Sequence, residues 1–155
     1  MPYVTVGKES GASKGDRMSN SLGTIQGLTT VESRVGSKEA MDRLESAIRA
    51  KGLNTFARID HAAGAAEVGL ALRPTELIIF GNARGGTPLM QSVQTVGIDL
   101  PLKILVWQDA ANDTWISYNE PSWIAQRHGV TNAQLVASKL TAVLSAIVEK
   151  AANSQ

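Results

Sequence analysis

The chain has 155 residues, 43% hydrophobic and 19% charged, with 15 basic and 14 acidic side chains and a formal net charge of +1. A chain of this size suits one domain, which buries roughly 70% of the surface of its unfolded form and needs no disulfide or metal to hold it. The absence of cysteine excludes thiolate catalysis, iron–sulfur clusters and thiolate zinc sites. The interspersed charges argue against a nucleic-acid-binding face, and no apolar run approaches the ~18 residues of a membrane span.

Residues 1–21 are rich in Gly, Ser and charge, and lack the apolar stretch of a secretory signal. They read as a disordered tail, with Met18 as an alternative start and the cytoplasm as the expected compartment. A single domain is expected over 22–151.

Leu22 to Ser33 reads as a strand with Gly27 as a bulge. Ser37 is the expected N-cap of a helix whose apolar stripe is Met41, Leu44, Ala47 and Ile48, stopped by Gly52. Thr55 to Asp60 returns to strand character, and Ala62 to Gly69 reads as a short helix ahead of Pro74. The continuous apolar run Glu76–Phe80 suits a central strand. Thr87 and Pro88 are read as the cap and first residue of the next helix, with Leu89, Met90, Val93 and Val96 on its apolar face. Leu102–Trp107 and Trp115–Tyr118 form a predicted hairpin. Pro121 opens a short helix closed by Gly129. Thr131 with Gln134 reads as a capping box ahead of a long helix over 132–151. This order predicts an α+β domain: a small mixed or antiparallel sheet with helices mainly on one face. The other face needs cover too, because Phe80 and Trp107 sit in strands with few polar alternations; a homodimer is the simplest source of that cover, and an apolar pocket is the other.

The motifs Arg-Ile-Asp-His-Ala-Ala-Gly from Arg58, Leu-Arg-Pro-Thr-Glu-Leu from Leu72, Phe80-Gly81-Asn82, Gly-Thr-Pro-Leu-Met from Gly86, Asp-Leu-Pro-Leu-Lys from Asp99 and Tyr-Asn-Glu-Pro from Tyr118 together resemble domain-of-unknown-function family 302, over about residues 27–129. The resemblance implies a fold similar to the TATA-binding-protein-like class, usually as a homodimer, and implies no activity. Two turns depart from the family pattern: Ala-Ala-Asn-Asp stands at the hairpin in place of Asp-x-Asp-Gly, and Glu120 stands before Pro121 in place of Asp.

Three groups of residues carry candidate chemistry. Asp60 and His61 end a strand, and His61 is the candidate general acid/base because imidazole titrates near neutral pH. The plainer reading is that Asp60 caps the following helix. A metal is not expected, since only Glu67 and His128 offer themselves as further ligands and zinc needs three or more. Asn82, Arg84, Gly86 and Thr87 lie in a Gly-rich strand-to-helix turn, whose free N–H groups suit an anion. The turn lacks the Gly-Lys-Ser/Thr of a phosphate loop, and its plainer reading is a tight turn with a cap. Asp109, Tyr118 and Asn119 lie at hairpin strand ends, where Asp109 and Asn119 also suit loop capping.

If these strand ends converge, they rim a pocket lined by Phe80, Met90 and Trp107. The expectation is a module that binds a small anionic or amphipathic ligand. The alternatives are an enzyme using His61, oriented by Asp60 or Asp109, and a homodimeric interaction protein without ligand.

Overall fold

A computed structural model describes residues 25–153. The proposed tail, its Met18 start and the first residues of the Leu22 strand lie outside the described residues. In chain order the elements are β1 (Leu28–Ser33), α1 (Ser37–Ala50), β2 (Asn54–Asp60), α2 (His61–Glu67), β3 (Thr75–Gly81), α3 (Ala83–Ser92), a 3-10 turn (Gln94–Ile98), β4 (Leu102–Gln108), β5 (Thr114–Asn119), α4 (Pro121–Arg127) and α5 (Gln134–Ala152). The five strands pair in the order β1-β5-β4-β3-β2, every pair antiparallel. The α+β expectation is met, and its mixed-or-antiparallel sheet is antiparallel throughout.

Since β1 and β2 are the two edges, α1 carries the chain across the whole sheet. Its stripe of Ala40, Met41, Leu44, Ala47 and Ile48 is buried. That stripe meets Ile78 and Phe80 of β3, Leu102, Ile104 and Val106 of β4, Ile116 and Tyr118 of β5, and Leu144, Ile147 and Val148 of α5. Alternation along each strand sends these residues to one face. Each large aliphatic side chain fully buried there contributes roughly 1.5–3 kcal/mol. The opposite face carries Leu77, Ile79, Leu105 and Trp107, which are half-buried, so the central run is covered unequally. Trp107 stacks on Trp115 with ring centroids 6.3 Å apart and donates from Nε1 to Ser117 Oγ at 2.9 Å.

Arg58 ties this frame at its edge. Its guanidinium donates to Asp42 and Glu45 of α1 and to Glu76 of β3 at 2.6–3.1 Å. Partial burial disfavours its charge, but hydrogen bonds to Glu45, Glu76 and Asp42 outweigh this and hold it above the ordinary arginine value.

Several expected caps are placed differently. Gly36, not Ser37, is the N-cap of α1, with no side-chain bond; Ser37 is already helical. At the other end Gly52 does stop α1. Gly52 N–H donates to Arg49 O and Leu53 N–H to Ile48 O, and Gly52 takes φ +72°, a Schellman closure that favours glycine. α3 starts at Ala83 under Asn82, so Thr87 is not its cap and Pro88 lies inside the helix. The turn beginning at Asn82 nucleates the helix first, because the Asn82 side chain takes the Gly85 N–H. Thr131 and Gln134 form no capping box: Ala133 is the N-cap of α5, without a side-chain bond. Gly27 is not a bulge within β1 but part of the turn before it, at φ +77°.

Candidate functional site

Gly81 ends β3 at the same end of the sheet where β2 and β4 begin. β2 is irregular there. Its register shifts between Thr55 and Ala57, leaving Phe56 as the extra residue of a bulge. Phe56 is 56% exposed, and it forms one wall of a cleft of about 500 Å³. The other walls are Leu53 and Phe80, the first turns of α3, the Leu100–Leu102 approach to β4, and Leu140 and Val143 of α5. The lining is almost wholly apolar. Two glycines lie along it: a Cβ on Gly86 would make ordinary contacts at 3.4 Å to Leu100 Cδ1 and 3.6 Å to Met90 Cε, and one on Gly85 would lie 3.4 Å from Asn82 Oδ1 and 3.6 Å from Leu140 Cδ2. Lys103 braces the Leu100 wall by donating from Nζ to the backbone oxygens of Asp99 and Pro101 at 3.2 and 2.8 Å. Burial pushes its amine below the ordinary lysine value, partly offset by Asp99.

Asn82 and Gly86 line this cleft. Asn82 Oδ1 accepts from Gly85 N–H at 2.8 Å, and the Gly85 and Gly86 N–H groups also reach Asn82 O at 3.3 and 3.4 Å. The expected anion cradle is therefore largely satisfied by its own loop. Arg84 and Thr87 belong to the same helix but are exposed and outside the lining. Tyr118 and Asn119 close β5 at this end of the sheet. Tyr118 is buried in the core opposite Ile104.

Asp60, His61 and Asp109 lie at the other end of the sheet, by the start of β3 and the end of β4. The expected convergence of all the strand ends on one pocket does not occur, because an antiparallel meander puts successive strand ends at opposite edges. Asp60 Oδ1 takes the Ala63 N–H at 2.9 Å and so caps α2. His61, the first residue of α2, is exposed and has no hydrogen-bond partner among the described residues. Asp109 organises the hairpin loop instead: Oδ1 accepts from Ala111 and Asp113 N–H, and Oδ2 from Trp115 Nε1. Phe80 and Met90 line the cleft as expected, whereas Trp107 does not. Phe56, Leu100, Leu140 and Val143 went unread as site residues. Only Phe56 left a signal, as an aromatic beside Thr55 that breaks the alternation of β2. Among the described residues no group of three or more His, Asp or Glu side chains is placed to hold a metal.

The single antiparallel sheet, its one-sided helical cover and the apolar cleft at one end define a small α+β domain. The chain belongs to the family described as Domain of unknown function DUF302, which matches residues 29–147. A solved structure, an uncharacterized conserved DUF302 protein from Bacillus stearothermophilus, superposes with a TM-score of 0.74 at 20% identity, covering 82% of this chain and 99% of that one. Two curated relatives, each titled "Fluoride-specific ion channel FluC 1", come from Brucella suis biovar 1 and Brucella abortus biovar 1. Each is 49% identical over 113 residues, which is 73% of this chain but 44% and 42% of theirs. The matched stretch thus spans less than half of the curated relatives. No helix of the described residues is long and apolar enough to cross a membrane.

Proposed function

We propose that this domain binds a small amphipathic molecule and seats its apolar part in the cleft walled by Phe56, Phe80 and Val143. The observation that carries this reading is the roughly 500 Å³ of apolar-lined space, within the size range of small-molecule sites. The self-satisfied Asn82 turn favours an apolar contact over an anion cradle. A ligand at 100-fold its dissociation constant is expected to add about 2.7 kcal/mol of stability, a melting rise of roughly 5–10 °C. Thermal-shift screening of fatty acids, tetrapyrroles, nucleotides and phosphorylated metabolites measures this. Val143→Phe, which narrows the cleft, is expected to abolish the shift while leaving the fold intact. Absence of stabilisation by every class overturns the reading.

A second copy of the chain is the cover we propose for the opposite sheet face. Half-buried Leu77, Ile79, Leu105 and Trp107 and the edge position of β2 support this. Sedimentation should give a dimer that Leu105→Lys converts to monomer; a wild-type monomer at micromolar concentration rejects it.

The titles of the Brucella relatives support a further role, as a companion module of a fluoride channel. Co-expression of the full chain with a fluoride channel tests it: co-purification is expected, and failure to associate, with unchanged fluoride tolerance, removes this role.

A further inference from the structure

The second histidine, His128, is the C-cap of α4 and sits far along the chain from the other two residues it joins. Its Nε2 lies 2.5 Å from Asp99 Oδ2, and its Nδ1 lies 2.9 Å from Thr95 Oγ1. The imidazole side chain is only 9% exposed and the Asp99 side chain 13%, whereas Thr95 is exposed. Arg127 Nη1 holds both oxygens of Asp99 at 2.9 Å, which fixes the plane of the carboxylate. Arg127 is itself braced 5.8 Å over the Trp123 ring.

With Asp99 as a carboxylate and the ring neutral, the proton positions follow. An ionised carboxylate only accepts, so Nε2 must carry a hydrogen. In the neutral ring Nδ1 is then a bare acceptor, and Thr95 must donate to it. A hydroxyl pointing at an imidazole lone pair, with the far nitrogen oriented by a carboxylate, is the arrangement that activates an oxygen nucleophile. We propose that Thr95, His128 and Asp99 act as nucleophile, general base and orienting residue in the hydrolysis of carboxylic esters at a surface separate from the cleft.

The step balances without a cofactor. Thr95 Oγ1 attacks the ester carbonyl as Nδ1 takes the hydroxyl proton. The C–O bond to the alcohol breaks, and Nδ1 returns that proton to the leaving oxygen. Water then attacks the acyl-threonine and gives a proton to Nδ1. The bond to Oγ1 breaks, Thr95 recovers its hydrogen and the carboxylic acid leaves. Substrate class follows from the 3-10 turn, in which residues three apart eclipse. Thr95 and Ile98 therefore share a face, and Ile98 is 76% exposed. An ester with an apolar acyl group rests on Ile98 while its carbonyl meets Thr95.

The test uses the full chain with p-nitrophenyl butyrate, following p-nitrophenolate release and the intact mass. The expected result is release carried by a butyryl group found on Thr95. Thr95→Ala and His128→Asn should lower the rate by roughly 10²-fold or more, and Thr95→Ser should retain it. Thr95 is exposed and packs little, so Thr95→Ala remains folded and decides the matter even if His128→Asn does not fold. Unchanged release in Thr95→Ala, or acyl groups only on lysines or His128, overturns the proposal and leaves Asp99 as a clasp between the 3-10 turn and α4.

Discussion

Gly27→Ala is expected to cost about 2–4 kcal/mol of folding stability, from a crowded contact and a disfavoured backbone together. A Cβ built at Gly27 falls 2.1 Å from Cγ of Trp123, inside the indole itself, and the residue's φ of +77° is one that L side chains rarely adopt. The turn has no easy retreat. Gly27 O accepts from Glu120 N–H at 2.7 Å, and the Thr29 hydroxyl donates to the Glu120 carboxylate. These bonds clamp the chain ahead of β1 to the entrance of α4. Denaturant titration of the two proteins reads the effect; a loss under about 0.5 kcal/mol would show that Trp123 swings out freely, against the packing described.

Asp109→Asn carries the second large effect, about 2–3 kcal/mol, from broken hydrogen bonds to a charged group. Both carboxylate oxygens accept: two backbone N–H groups on one, the Trp115 indole N–H on the other. An amide offers one accepting atom, so one side of the loop faces an N–H it cannot satisfy. The same bonds set a pH dependence. Desolvation works to raise the Asp109 carboxyl, but Trp115, Asp113, Ala111 and the charge of Arg73 prevail and hold it below the usual carboxylate range. A depressed folded-state value means the stabilisation is present above the unfolded carboxylate value and is lost as pH falls through the folded one. Wild type should therefore outlast Asp109→Asn by a constant margin above about pH 5, and the two should converge below about pH 4. Parallel melting curves across that range, with no convergence, would refute the assignment.

Periodicity made most of the frame readable. The stripe Met41, Leu44, Ala47 and Ile48 and the run Glu76–Phe80 found their elements because one buried face imposes one period. Caps were harder to read, since they depend on which of two nearby polar residues closes a turn first. At Asn82 and Thr87 both satisfy the same rule, and the earlier one wins because its side chain reaches Gly85. The site was hardest. His61 drew attention as a titratable residue in a motif, yet the chain places it at the opposite end of the sheet from Asn82. The cleft walls Leu100, Leu140 and Val143 are ordinary apolar residues, and only the meeting of α5 with the approach to β4 brings them together. Likewise nothing in the sequence ties Thr95 to His128, because their neighbourhood is created by α4 folding back beside the 3-10 turn.

The bulge of β2 makes the cleft detachable from the domain that carries it. The residue that interrupts the strand's register is the same one that supplies the cleft's outer wall. Removing Phe56 altogether would restore even spacing to an edge strand and leave the buried face of the sheet untouched. A lineage could thus shed or regain the cleft's outer wall by a one-codon deletion or insertion, at little risk to the scaffold. The cleft and the fold would then be inherited almost independently, so relatives with the same architecture need not share the cleft.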